Sequence, residues 1–386
     1  VNTVRINRRA QTRLESGHPW IYSSDIADRG ASQPGEVVRV TNDRNRVLGV
    51  AHFSSTSQIT LRLLSHNDEP VNRQFYLRRM GAALDHRRRV APECEAYRLI
   101  HAEGDLLPGL IVDRYGDYLV LQLLDQGMDA ASAMLVESLR ELVKPLGILA
   151  RNDVAVRRLE ELSLEPAVLH GEIPERVNVR MNHLTMEADL LHGQKTGVYL
   201  DQRENYLAAA RFARGRALDC FTSTGGFALH MAASCETVEG VDSSADALRT
   251  AGRNAKANSI TNANFREANA FDYLSGMASA RRRFDTVVLD PPAFSKSRSN
   301  LDAALRGYKE LNTKALSLLS PGGTLITCSC SHHVSEASLL EVVAEAALDC
   351  GRTLRILDRR TQAQDHPILL TVPETLYLKC LIFEVL

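Results

Sequence analysis

The chain has 386 residues, 44% of them hydrophobic and 24% charged, with a formal net charge of −1 at pH 7. That length is enough for two or three domains with substantial cores, and no apolar run approaches the roughly eighteen residues of a membrane span. The opening VNTVRINRRAQTRLESG lacks the apolar stretch of a signal peptide, so a soluble, cytoplasmic protein with no membrane partner is expected.

Charge is unevenly placed. Residues 1–89 hold fifteen Arg, no Lys and eight Asp plus Glu, a net +7, leaving −8 on the rest. A basic N-terminal part fits a phosphate-binding module, with Arg5, Arg8, Arg9 and Arg13 as candidate RNA contacts; a solvated surface is the plainer alternative. GEVVRVTNDRNRVLGVAHFSSTSQITLRLLS, residues 35–65, alternates apolar and polar residues in short β-branched runs broken by turn residues. It predicts a compact antiparallel β-barrel. HNDEPVN (66–72) is a polar break, giving a first domain over 1–70.

RQFYLRRMGAALDHRRRVA follows with helical spacing and its arginines on one face. LIHAEGDLLPGLIVDRYGDYLVLQLLD (99–125) reads as a three-stranded meander, and 129–144 reads as a helix. The expectation for 71–185 is a mixed α+β domain. From 186 to 386 strand-like and helix-like segments alternate, which predicts a doubly wound parallel α/β sheet, Rossmann-like, with helices on both faces.

The first turn of that sheet is LDCFTSTGGFALHMA, with Asp219 at the strand end and Gly225-Gly226 opening the helix. Glycine there lets backbone approach a ligand. The second strand ends in Asp242, 23 residues on, where an acid takes a ribose diol in such folds. No cluster of positive charge awaits a pyrophosphate, so the set favours S-adenosylmethionine over a dinucleotide; ordinary turn acids and helix caps are the plain alternative. Asn269, after the third strand, is a candidate acceptor for the adenine amino group through its carbonyl. Candidate cofactor contacts are Asp219, Phe221, Thr224, Gly225, Asp242, Ser243, Asn269 and Asp290.

Two segments point to different chemistry. VVLDPPAFSKS ends a strand in Asp290-Pro291-Pro292, the arrangement many enzymes use to methylate an exocyclic base nitrogen. An aromatic directly after the prolines would stack on the flipped base; here Ala293 stands there and Phe294 one later. LITCSCSHHV ends the next strand in Cys330, placed to act as a thiolate that adds to carbon 6 of cytosine and makes carbon 5 nucleophilic. A strand cysteine is more often a small buried hydrophobe, the reading given to Cys328. His332 or His333 is a candidate to tune the thiol. Seven scattered cysteines read as reduced thiols, and a pair two apart without a second pair offers no metal site.

GQKTGVYLDQREN, LDCFTSTGGFALHMA, VLDPPAFSKS, RGYKELN and CSCSHH, with RLESGHPWIYSSDI, AEGDLLPGLIVDRYGD and DHPILLTVPETLYLK, resemble the bacterial large-subunit rRNA cytosine-C5 methyltransferases of the RlmI type along essentially the whole chain. The resemblance implies an N-terminal PUA domain that binds RNA, an α+β connecting domain and a Rossmann-like methyltransferase domain using S-adenosylmethionine on 23S rRNA or a large-subunit precursor. It places Gln202 and Arg203 in the pocket with Pro291, Pro292 and Phe294, and leaves a homodimer open. Many RNA cytosine-C5 methyltransferases carry a second cysteine after the Asp-Pro; Pro292 and Ala293 replace it here, as in the RlmI type, so the resemblance implies Cys330 as the evident nucleophile and Asp290 as the group expected to orient the base. Relatives with a similar Asp-Pro-Pro methylate guanine without a thiol, so a base-nitrogen methyltransferase is the alternative. An RNA-binding assembly factor with a vestigial cofactor fold is a third reading, opposed by the intact acid set.

Overall fold

The computed structural model describes residues 1–193, 195–294 and 300–386. The chain divides into two compact units, Val1–Val179 with Ala188–Val198 and Gln364–Thr375, and Arg180–Glu187 with Tyr199–Ala363 and Leu376–Leu386. Residues 188–198 and 364–375 fall within the unit that holds the N-terminal residues. Among the described residues no helix is long and apolar enough to cross a membrane.

The first unit begins with six strands, β1 (Thr3–Ile6), β2 (Trp20–Tyr22), β3 (Ile26–Asp28), β4 (Val37–Thr41), β5 (Val47–Phe53) and β6 (Ile59–Ser65), and helix α1 (Arg8–Glu15). They form one sheet in the order β2-β6-β5-β4-β1-β3. Alternation predicted from 35–65 becomes the antiparallel β4-β5-β6 ladder, and Val4, Ile6, Val38, Val40, Leu61 and Ile21 fill its core. Helix α2 (Arg73–Val90), capped by Asn72, buries Phe75, Tyr76 and Met80. The meander follows as β7 (Ala96–His101), β8 (Leu110–Tyr115) and β9 (Tyr118–Leu123), extended by β10 (Gly147–Ala150) and β11 (Ala167–Gly171). Helices α3 (Gln126–Ala130) and α4 (Ser132–Val143) complete this layer; β12 (Arg176–Met181) and β13 (Leu184–Asp189) come next in the chain.

The main sheet of the second unit has, among the described residues, seven strands: β14 (Arg216–Cys220), β15 (Thr237–Asp242), β16 (Ala263–Glu267), β17 (Phe284–Leu289), β18 (Leu319–Ser329), β19 (Leu354–Arg360) and β20 (Lys379–Val385). Their order is β16-β15-β14-β17-β18-β20-β19. The first five are parallel, and β20 inserts antiparallel between β18 and β19. Helices α5 (Arg203–Phe212), α6 (Gly226–Met231), α7 (Ala245–Ala257), α8 (Ala270–Ser279), α9 (Leu301–Leu318) and α10 (Glu336–Asp349) accompany them. Val287, Val288 and Leu289 of β17 and Leu325 and Ile326 of β18 are all fully buried, as strands covered on both faces require. From β14 the chain winds outward to β16, then returns to β17 on the other side. That reversal leaves a crevice at the carboxyl ends of β14 and β17, where sheets of this kind bind ligands.

Candidate active site

The crevice is bounded by two short turns. After β14 the chain runs through Phe221, Ser223 and Gly225 at φ of +66°, +49° and +87°. Left-handed backbone at a bulky residue such as Phe221 is uncommon and costs on the order of 1 kcal/mol or more. Asp242, at the end of β15, holds this turn: Oδ2 accepts the Ser223 amide and Oδ1 the Ser244 amide, each at 2.9 Å. Close packing beneath the turn explains its glycines. A Cβ on Gly226 would fall 2.4 Å from the Tyr206 ring, and Gly225 takes the left-handed conformation that glycine adopts freely.

Asp219 is fully buried. Its Oδ2 accepts from the Thr222 hydroxyl at 2.6 Å and the Ala228 amide at 3.0 Å, while its Oδ1 has no hydrogen-bond partner among the described residues. Burial pushes the carboxyl up to about 7. A buried oxygen left unpaired is costly, so this atom is an acceptor shaped for a donor group brought in by a ligand. S-adenosylmethionine fits: it carries an ammonium for Asp219 and a ribose diol for Asp242, whose carboxylate retains lone pairs beyond its two amide bonds.

Asn269 takes a different part from the one expected. Its carbonyl caps α8, accepting from the Phe271 amide at 2.9 Å and the Asp272 amide at 3.4 Å. The group left to face an adenine is therefore its NH2, a donor, rather than the carbonyl acceptor. Thr224 is half-buried with its carbonyl held by Asn254 at 3.0 Å, and Ser243 is exposed beside Asp242.

On the other side of the crevice, Asp290 follows β17, its amide donating to the Cys220 carbonyl at 3.4 Å. Gln202, 2% exposed, donates from Nε2 to Asp290 Oδ1 at 3.0 Å. Gln202 Oε1 in turn accepts from Asn205 at 2.7 Å, and Asn205 is fixed by the Thr361 carbonyl and the Arg360 guanidinium. Arg203, also buried, opens α5 next to Gln202. Cys330 follows β18, the parallel neighbour of β17, and its Sγ lies 3.9 Å from the Pro291 carbonyl oxygen. The thiol and the Asp290-Pro291-Pro292 turn are therefore side by side.

The residues flanking the thiol are clamped. Ser329 Oγ lies 2.9 Å and Ser331 Oγ 3.1 Å from the Tyr308 hydroxyl of α9, all three residues being buried. Such support fixes the backbone on either side of Cys330. His332 is exposed and His333 half-buried on the loop beyond. Cys328 is fully buried and pairs across the ladder with Cys380.

Phe294 is half-buried and engaged by its neighbours. Its ring packs against Tyr308 at 4.8 Å and Phe271 at 6.2 Å between centroids, in the hydrophobic layer under α8 and α9. The four N-terminal arginines do not act alike. Arg8 and Arg9 are exposed, whereas Arg13 is bound to buried Asp25 at 2.6 Å and lies over the Tyr22 ring. Arg5 faces Asp28 at 3.7 Å. Sequence reasoning also passed over Lys379 and Tyr199. Lys379 stood inside a quoted motif, where a cation opening the apolar run LKCLIFEV is the signal that it must have partners.

A PUA-like domain model matches residues 4–66, and a methyltransferase domain model matches residues 212–369. The chain is 39% identical over 390 residues to the ribosomal RNA large subunit methyltransferase I of Tolumonas auensis, covering 98% of each chain. It is 40% identical over 376 residues to the protein of that name from Vibrio cholerae, covering 95% of each. Among solved structures, a protein complexed with SAH superposes with a TM-score of 0.86 at 20% identity over 100% of both chains. A Streptococcus mutans protein assigned to the SAM-dependent methyltransferases gives 0.84 at 21%, again over 100% of both.

Proposed function

The chain belongs to the ribosomal RNA large subunit methyltransferase I family, and from that premise we propose that it forms 5-methylcytidine in 23S rRNA or a large-subunit precursor through a Cys330 adduct. The observation that carries this reading is the thiol at the Asp290 turn, 3.9 Å from the Pro291 carbonyl. Residues 1–70 act as the RNA-binding module, 71–185 connect, and 186–386 carry the methyl transfer. The site of action is the cytoplasm, and a homodimer is compatible with the reading.

Bound S-adenosylmethionine supplies an electrophilic methyl group, held by Asp219, Asp242 and the Phe221–Gly225 turn. Asp290, fixed by Gln202, orients the flipped cytosine. The Cys330 thiolate adds to carbon 6, and the electron pair of the 5,6 double bond becomes available at carbon 5. Once carbon 5 carries the methyl group, loss of its proton to a base regenerates the double bond and expels the thiolate. Ala293 stands directly after the prolines and the half-buried Phe294 ring is engaged by Tyr308, which supports the carbon reading over the aromatic stacking that nitrogen methylation favours.

The test is incubation of purified protein with unmodified bacterial rRNA and labelled S-adenosylmethionine, followed by nucleoside mass spectrometry, with Cys330→Ala alongside. The expected result is 5-methylcytidine that the variant does not make. A methylguanosine or methyladenosine product indifferent to the substitution overturns the carbon reading.

A further inference from the structure

The loop after β18 meets a buried cation that the mechanism above does not use. Lys379 opens β20 opposite Ser329 in the antiparallel register and is 4% exposed. Its Nζ donates to the Ser331 carbonyl at 2.8 Å and the Tyr377 carbonyl at 2.9 Å. Ser331 is the residue directly after Cys330, so the ammonium holds the backbone on which the thiol is mounted. An ammonium has three N–H donors, and two carbonyls do not exhaust them.

Keeping a lysine in an apolar strand is unfavourable unless its charge has work to do or a partner. Burial draws the Lys379 ammonium down to about 8, and the opposing influence is the negative charge of Cys330. Such coupling is reciprocal: what a thiolate does for an ammonium, the ammonium does for the thiolate. Groups from every packed element face Cys330. Asp290 lies after β17, Tyr199 ahead of α5 and Tyr308 on α9 are pushed upward and stay neutral, and His332 and His333 lie on its own loop. Lys379 from β20 is the buried cation that favours its ionisation.

We propose that Lys379 is a positioning residue for the reaction, pinning Ser331 and serving as the counter-ion that holds Cys330 as a thiolate beside the Asp290-Pro291 turn. The inference rests on the reading of Cys330 as nucleophile. On ionisation the thiol proton leaves to solvent, the ammonium keeps its three protons, and no covalent bond to Lys379 forms.

The experiment is alkylation of the full-length protein by iodoacetamide across neutral to alkaline pH, with mass spectrometry of the peptide containing Cys330. Lys379→Met is expected to slow Cys330 alkylation at pH 7 roughly tenfold and to move the rate profile about one unit upward, while Lys379→Arg stays within about threefold of wild type. Coincident profiles for wild type and Lys379→Met overturn the proposal. Should Lys379→Met fail to fold, the wild-type profile decides: a midpoint at or above the roughly 8.5 of an ordinary thiol overturns it. The two readings fail separately. An active Cys330→Ala enzyme removes the nucleophile and with it the catalytic role of Lys379, whereas coincident profiles beside an inactive Cys330→Ala enzyme remove Lys379 alone.

Discussion

Gln202 donates from Nε2 to Asp290 Oδ1 at 3.0 Å and accepts from Asn205 Nδ2 at 2.7 Å, so one buried amide ties the Asp290 carboxylate, proposed to orient the base, to the scaffold. Gln202→Leu keeps the volume but removes both bonds. Asp290 then gains rotational freedom, and the Asn205 amide is deprived of an acceptor in the interior, at about 1–3 kcal/mol. The expected outcome is a fall of roughly 10–100-fold in kcat/KM for RNA, with the dissociation constant for S-adenosylmethionine within a few-fold of wild type. Calorimetry and methyl-transfer kinetics on one preparation check it; a large drop in cofactor binding counts against this division of roles.

Asp219 gives a pH signature. Burial raises its carboxyl from 3.8 to about 7, so between those values the folded protein binds a proton that the unfolded chain has released. Stability of the cofactor-free protein should therefore decline as pH rises through that window. Asp219→Asn stays neutral throughout, and its melting temperature should change less between acid and neutral pH than that of wild type. The same substitution leaves no carboxylate for an ammonium and should weaken S-adenosylmethionine binding at least tenfold. Thermal melts across pH with and without cofactor measure both effects.

The cofactor turn is equally specific about volume. Gly226→Ala drives a methyl group onto the Tyr206 ring, and Tyr206 is buried against Phe227 and His230 with little room to yield. Overpacking of this kind costs about 1–3 kcal/mol. A lowered melting temperature together with weaker cofactor binding is expected. Tyr206→Phe in the same background removes only the hydroxyl contact and leaves the ring carbon 2.4 Å away, so it should restore little of either.

A stable covalent trap follows from the order of steps proposed for Cys330. With S-adenosylmethionine present, RNA carrying 5-fluorocytidine at the target allows addition of the thiolate at carbon 6 and methyl transfer to carbon 5, which then carries fluorine and methyl but no proton to lose, so the methylated adduct cannot collapse. A protein–RNA species resistant to denaturing electrophoresis is expected with wild type and not with Cys330→Ala. Its absence, where 5-methylcytidine is nevertheless formed on ordinary RNA, would count against the adduct.

The parallel sheet was legible because strand-like segments alternate with helical periodicity, with continuous apolar runs in β17 and β18, and the acids at 219, 242 and 290 stand at or beside strand ends. What stayed hidden is contact between residues distant in sequence. Nothing local tells that Gln202 reaches Asp290, or that Tyr308, on a helix, joins Ser329 and Ser331. Asn269 and Phe294 were given roles by position along the strand ends, but a helix cap claimed the carbonyl of one and the aromatic layer of α8 and α9 the ring of the other. The antiparallel β20 comes last in the chain yet sits between β18 and β19, and only that insertion brings Lys379 to the cysteine loop.

The four N-terminal arginines divide in a way that a binding experiment can read. Arg8 and Arg9 are exposed on α1, and their replacement by Ala should reduce RNA affinity and flatten its dependence on salt, since a phosphate that the protein no longer neutralises keeps its own counterion; the melting temperature should hardly move. Arg13 belongs to the fold. Its partner Asp25 has a side chain 2% exposed, and although burial alone would raise that carboxyl, the hydrogen bond and charge of Arg13 hold it below its ordinary value. Arg13→Ala leaves a buried charge without its ion pair, at about 2–4 kcal/mol. Because the Asp25 carboxyl is lowered on folding, the stabilisation is present above the unfolded value of 3.8 and disappears as pH falls through the folded one. The difference in melting temperature between wild type and Arg13→Ala should therefore be large at neutral pH and shrink in acid. A difference that persists unchanged at low pH would mean that Arg13 acts through its packing on Tyr22 and not through its charge.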